Sequence, residues 1–111
     1  MTVNLDDAKA ALEGTLNVRR PDGPRQSFVV TVHGVESDPA RQHLRFAIVL
    51  AGPDAQTKTE VCVEIPTEVI FMDRPSGWGA LIRTELRQWL SDGRLASGAR
   101  VLQITRQRGH R

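Results

Sequence analysis

The chain has 111 residues, of which 40% are hydrophobic and 25% charged, and its formal net charge is +2. That length suits one domain and the balance is far from the low-hydrophobicity, high-charge signature of disorder, so residues 1–111 are expected to fold as a single unit with no room for a second. Cys62 is the only cysteine, which excludes an internal disulfide and leaves a cysteine-based zinc site nothing to build from; apolar runs such as 46–51 are far short of the ~20 residues a membrane span needs.

Asp6 and Asp7 stand where a secretory leader would carry basic residues, and no apolar stretch follows them, so a reducing, cytoplasmic setting is expected. Asn4 is placed to cap a helix over residues 5–13: Leu5, Ala8 and Leu12 share one face, the two aspartates suit its positive end, and Gly14 ends it. The apolar face is mostly alanine and would bury little area.

From Thr15 the period changes to two. Leu16 and Val18 alternate with polar residues, PDGPR forms a turn, and Phe28, Val30 and Val32 resume the alternation. After ESDPA the pattern returns as Leu44, Phe46, Ile48 and Leu50, and after GPDAQT as Val61, Val63 and Ile65. Three turns therefore join four strands in an antiparallel meander. Folding the hairpins about Gly23, about Asp38 and between Ala55 and Gln56 pairs Val18 with Phe28, Val32 with Leu44, and Leu50 with Val61. Every inward residue then meets another, and one sheet face is continuously apolar.

The segment RPSGWGALIRTELRQWLSDG carries the clearest helical period. Trp78, Leu81, Ile82, Leu86, Trp89 and Leu90 lie on one side, with Arg83, Thr84, Arg87 and Gln88 opposite; Ser76 is placed to cap the start, and Asp92-Gly93 to stop the helix. This helix is expected to lie across the apolar sheet face with both tryptophans in the core. Residues 99–105 have strand propensity and supply either a fifth strand or a C-terminal arm, and 106–111 read as a mobile basic tail. The expected class is α+β, in the order α-β-β-β-β-α-β.

No cofactor or catalytic site is expected. The carboxylates are scattered, no serine sits in a G-x-S-x-G elbow, and GWGAL lacks the spacing and the lysine of a phosphate loop. The proposed register sets His33 opposite His43 on the outer sheet face, with Glu13 as the nearest third ligand, but two imidazoles fall short of a zinc site. Cys62 stands between Glu60 and Glu64, which disfavours its thiolate.

Two features remain for function. Val29, Ala47, Val49 and Cys62 form an apolar cluster on the face away from the long helix, and either the N-terminal helix covers it or a subunit or partner does. The C-terminal stretch holds Arg94, Arg100, Arg106, Arg108 and Arg111 and no acid. Only Lys9 and Lys58 among the chain's cations are lysine, so arginine enrichment by itself says little. The leading expectation is a non-catalytic protein-interaction module, homodimeric or with another protein, binding through the outer sheet face or a sheet edge. The alternative is electrostatic, weakly sequence-specific nucleic-acid binding through Arg100, Arg106, Arg108 and Arg111, without the exposed aromatics that single-strand readers use. A third reading, further down, is a small enzyme whose site a partner subunit completes.

Overall fold

The computed structural model describes residues 3–21, 23–52, 57–71 and 75–105. The elements are α1 (Leu5–Leu12), β1 (Gly14–Arg19), β2 (Arg25–Asp38), β3 (His43–Ala51), β4 (Lys58–Pro66), α2 (Thr67–Phe71), α3 (Pro75–Ser91) and β5 (Val101–Gln103). They form an α+β fold around one five-stranded sheet of order β1-β2-β3-β4-β5. The first four strands are the expected antiparallel meander; β5 is the fifth strand, and it lies parallel to β4. A parallel neighbour needs a crossover, which α2 and α3 supply. The expected basic tail, 106–111, lies outside the described residues.

Asn4 caps α1 by accepting the Asp7 N–H at 2.7 Å. The helix stops at Leu12, one residue earlier than expected, because Glu13 turns to extended backbone. Ala8 and Leu12 are buried in the same core as the helical residues Trp78, Ile82 and Leu86. The two helices approach closely enough that a Cβ on Gly79 would stand 2.8 Å from the Ala11 Cβ. Of the two alternatives for the outer cluster, cover by α1 is therefore the one that does not hold, since α1 contributes its small apolar face to the inner layer beside α3.

The side facing the core is as expected on all four long strands: Leu16, Val18, Phe28, Val30, Val32, Leu44, Phe46, Ile48, Leu50, Val61, Val63 and Ile65 are buried. The pairings differ. Leu16 meets Phe28, Val32 meets Ile48, and Ile48 meets Val61, so each hairpin is shifted by an even number of residues from the tightest fold of its turn. An even shift keeps every side chain on its face, which is why the alternation alone does not reveal it.

The central hairpin has a further cause. A β-bulge between Val32 and Gly34 inserts one residue into β2, which reverses the phase beyond it and sets Val35 against the core. With that extra residue β2 runs on to Asp38 instead of turning at 36–40, and the turn is closed by the Arg41 N–H on the Asp38 carbonyl at 3.2 Å.

Over the inner face α3 lays Trp78, Ile82, Leu86, Trp89 and Leu90, all buried, and Trp78 stacks on Phe46 with ring centroids 5.6 Å apart. Both tryptophans are core, as expected. The helix begins at Pro75, so Ser76 lies inside its first turn and does not precede it. It ends at Ser91, and Asp92-Gly93 stop it as expected: Gly93 adopts φ 78°, its N–H reaches the Leu90 carbonyl, and the Arg94 N–H reaches that of Trp89. This pair of bonds is the glycine-terminated stop that absorbs the last orphan carbonyls. The short α2, which has no clear periodic signal, seats Ile70 in the core. Among the described residues no helix is long and apolar enough to cross a membrane.

Candidate functional site: the uncovered sheet face

Both long helices are on one side of the sheet, and the other side carries no second layer among the described residues. Its rows follow from the register. Val29, Ala51 and Lys58 are neighbours across β2, β3 and β4; Thr31, Val49 and Glu60 form the next row; Gly34, Ala47, Cys62 and Val101 the one after; and Glu36, Arg45, Glu64 and Gln103 the last. The cluster anticipated from the sequence is thus brought together on one surface. Val101 joins it through β5, and Val29 and Val101 are 47% and 48% exposed. Open grooves of about 630 Å³ and 380 Å³ run over this surface, the first along Val29, Thr31, Val49 and Ala51 and the second over Ala47, Val49 and Cys62.

The upper end of the face is polar and acidic. Arg45 stands among Glu36, Asp38 and Glu64 at 4.0, 3.7 and 3.8 Å, and Gln103 donates to Glu64 at 3.0 Å. These are loose ion pairs, and the buried Arg45 Nε makes no hydrogen bond among the described residues. One guanidinium serves three carboxylates, so this end carries an excess of negative charge.

Cys62 is half-buried in the apolar row. Burial, then the neighbouring Glu64 carboxylate, push its thiol upward, with Arg45 opposing. It is a small apolar surface residue held as the neutral thiol, which does not suit a nucleophile.

His33 and His43 do not face one another. His33 occupies the bulge, where its Nε2 lies 3.3 Å from the Thr31 hydroxyl, whereas His43 pairs with Asp38 and Pro66 at the far end of β3. They are about four residues, or ~14 Å, apart along the strands. The β2 bulge and the longer β2 account for the difference. No group of three His, Cys, Asp or Glu residues able to hold a metal ion occurs among the described residues.

The basic candidates divide. Arg100 lies just before β5, and its Nη1 donates to the Leu95 and Ala99 carbonyls at 3.2 and 2.8 Å, bonds that hold the turn between α3 and β5. Arg106, Arg108 and Arg111 lie outside the described residues. A third groove, of about 640 Å³, separates the end of α3 from β5, and four of its polar side chains pair with one another: Asp92 accepts from Gln88 at 2.8 Å and Glu64 from Gln103.

The sheet edges are the other expected docking place. On β1, the carbonyls of Thr15 and Arg19 point away from β2 and are taken by α3, the first by Arg83 Nη2 at 2.6 Å and the second by the Ser91 hydroxyl at 2.8 Å. On the opposite side β5 is three residues long. β1 and β5 themselves thus offer no long row of free backbone groups of the kind that recruits an added strand, while β2 runs on past β1 from Thr31 to Asp38, where Glu13 takes the Val32 N–H.

Compared with protein-family models, curated proteins and solved structures, the chain matches none.

Proposed function

We propose that this chain is a protein-interaction module whose binding surface is the outer face of its sheet. The observation that carries the reading is the make-up of that face at its centre. An antiparallel sheet with one side in water alternates apolar-in with polar-out. Here Val29, Ala47, Val49, Ala51, Cys62 and Val101 occupy outward positions in adjacent rows, and no element among the described residues covers them. A contiguous apolar patch with charged margins is the surface character of an association site. The engaged β1 edge and the short β5 favour the face over strand addition. The raised Cys62 thiol and the separated histidines favour binding over chemistry.

The test uses the full chain in its own cell, with a photo-crosslinking residue at position 49 on the outer face or at position 84 on the solvent side of α3. The reading expects protein adducts, with self or another chain, from position 49 and not from 84. Equal yields from both, or none from 49, would overturn it.

A further inference from the structure

We propose that the outer face joins two copies of this chain, packed face to face about a two-fold axis that crosses the strands between the Val29 row and the Thr31 row. This rests on the reading that the outer face is a binding surface, and adds the partner and the geometry.

The apolar centre does not choose a partner, but the charges around it do. At the β1–β2 hairpin end Arg19 stands directly opposite Arg25, both exposed, and neither has an ion pair among the described residues. Like charges facing one another across strands are destabilising unless an anion meets them. At the other end of β2, Glu36 is 78% exposed, its only ion-pair contact among the described residues is Arg45 at 4.0 Å, and Asp38 and Glu64 crowd the same guanidinium. Among the described residues, one end of the face therefore carries two cations with no ion pair and the other three carboxylates around one guanidinium.

Their spacing defines a symmetry operator. Arg25 is four residues beyond Val29. Glu36 is five residues beyond Thr31, but the bulge absorbs one of them, leaving four ladder steps. The two charges are thus equally far, about 17 Å, from a line between those rows. A two-fold axis along that line, in the plane of the interface, keeps each strand over its own counterpart and reverses its direction. Arg25 of each copy then lies over Glu36 of the other.

On β4 the same axis carries Lys58 onto Glu60 of the second copy, because these two exposed residues occupy the rows on either side of it. On β2 and β3 it sets Val29 over Thr31 and Ala51 over Val49. Facing sheets cross at about 30°, and the adjacent pair Arg19 and Arg25 spans the sideways offset this brings at the ends. One operator therefore pairs the opposite charges and stacks the Val29–Ala51 row on the Thr31–Val49 row, the self-complementarity an isologous interface requires.

Sedimentation of the purified full chain over a concentration series tests this, using wild type, Arg25→Glu, Glu36→Arg and an equimolar mixture of the two variants. Wild type should form dimers, and each reversal should weaken self-association by at least about tenfold, since both symmetric contacts become like-charged. The mixture should recover dimers, because in the mixed pair one contact is the reversed Glu–Arg and the other the native Arg25–Glu36, both of opposite charge; a variant that merely misfolded would not recover. A wild type that stays monomeric, reversals without effect, or a mixture that fails to recover would each overturn the proposal. A monomeric wild type that still crosslinks to another protein from position 49 removes the second copy but retains the binding face, while loss of that crosslink removes both.

Discussion

Glu13 extends the β1 ladder without belonging to the strand: its Oε2 accepts the Val32 N–H at 2.9 Å, two residues beyond Val30 of the Gly14–Val30 pair with which β1 begins. The carboxylate thereby closes a backbone donor that would otherwise mark an open strand edge. It also ties the end of α1 to the residue just before the β2 bulge.

This bond predicts a pH dependence. The Val32 N–H, aided by Lys9 at 3.2 Å and opposed by partial burial, holds the Glu13 carboxyl below its ordinary value of 4.5. A lowered folded value means that the contribution of Glu13 to stability is complete above 4.5 and fades as the pH falls through the folded value. The stability difference between wild type and Glu13→Gln, read from urea titrations, should be constant near neutrality and narrow below 4.5. A gap that does not change with pH would exclude this role.

Arg83 acts as a clip across three elements. Its Nη1 donates to the Leu12 carbonyl at 2.8 Å and its Nη2 to that of Thr15 at 2.6 Å, so one planar guanidinium on α3 holds the α1–β1 corner on both sides of Gly14. Replacement by methionine keeps much of the stem and removes both bonds. It should cost about 1 to 3 kcal/mol, and Arg83→Lys should recover only part, because an ammonium lacks the fork. Chemical denaturation of the three proteins measures this; equal stabilities would contradict the clip.

At Gly79 the two helices leave no room for a methyl group. An added Cβ would lie 2.8 Å from the Ala11 Cβ and 2.9 Å from the Ala11 carbonyl oxygen. In an open helix Gly→Ala gains up to about 1 kcal/mol, but here overpacking should reverse the sign and cost about 1 to 3 kcal/mol. A Gly79→Ala protein more stable than wild type in thermal unfolding would show that α1 does not pack where it is placed.

Trp78 is 2% exposed and stacked on Phe46. Trp78→Ala should cost about 3 to 5 kcal/mol, a large share of the roughly 5 to 15 kcal/mol typical of a domain. Denaturant unfolding followed by circular dichroism measures it, and a loss under about 1 kcal/mol would place the ring outside the core.

The sequence made the faces of this fold legible more fully than its pairings. Leu16, Phe46 and Val63 could be assigned inward because side chains alternate strictly. The choice of Ile48 over Leu44 as the neighbour of Val32 depends on turn length and on a bulge at His33 that leaves no period of its own. The same bulge separated His33 from His43, so a contact that seemed available from pattern alone was lost. α2 is too short to show a helical repeat. Glu13 looked like the last residue of a helix, and nothing local indicates that its carboxylate answers a backbone donor nineteen residues away. The outer cluster was visible in part: Val29, Ala47, Val49 and Cys62 follow from alternation, whereas Val101 could be added only once β5 was known to run parallel to β4.

The claim that the outer face serves association and not folding is tested most directly by Val49→Arg, with unfolding free energy and sedimentation measured on the same preparation. At a protein concentration too low for association, the account predicts stability within about 1 kcal/mol of wild type, the span of strand-surface preferences. At high concentration it predicts loss of the dimer that wild type forms. A variant several kcal/mol less stable, or one that associates as wild type does, would contradict it.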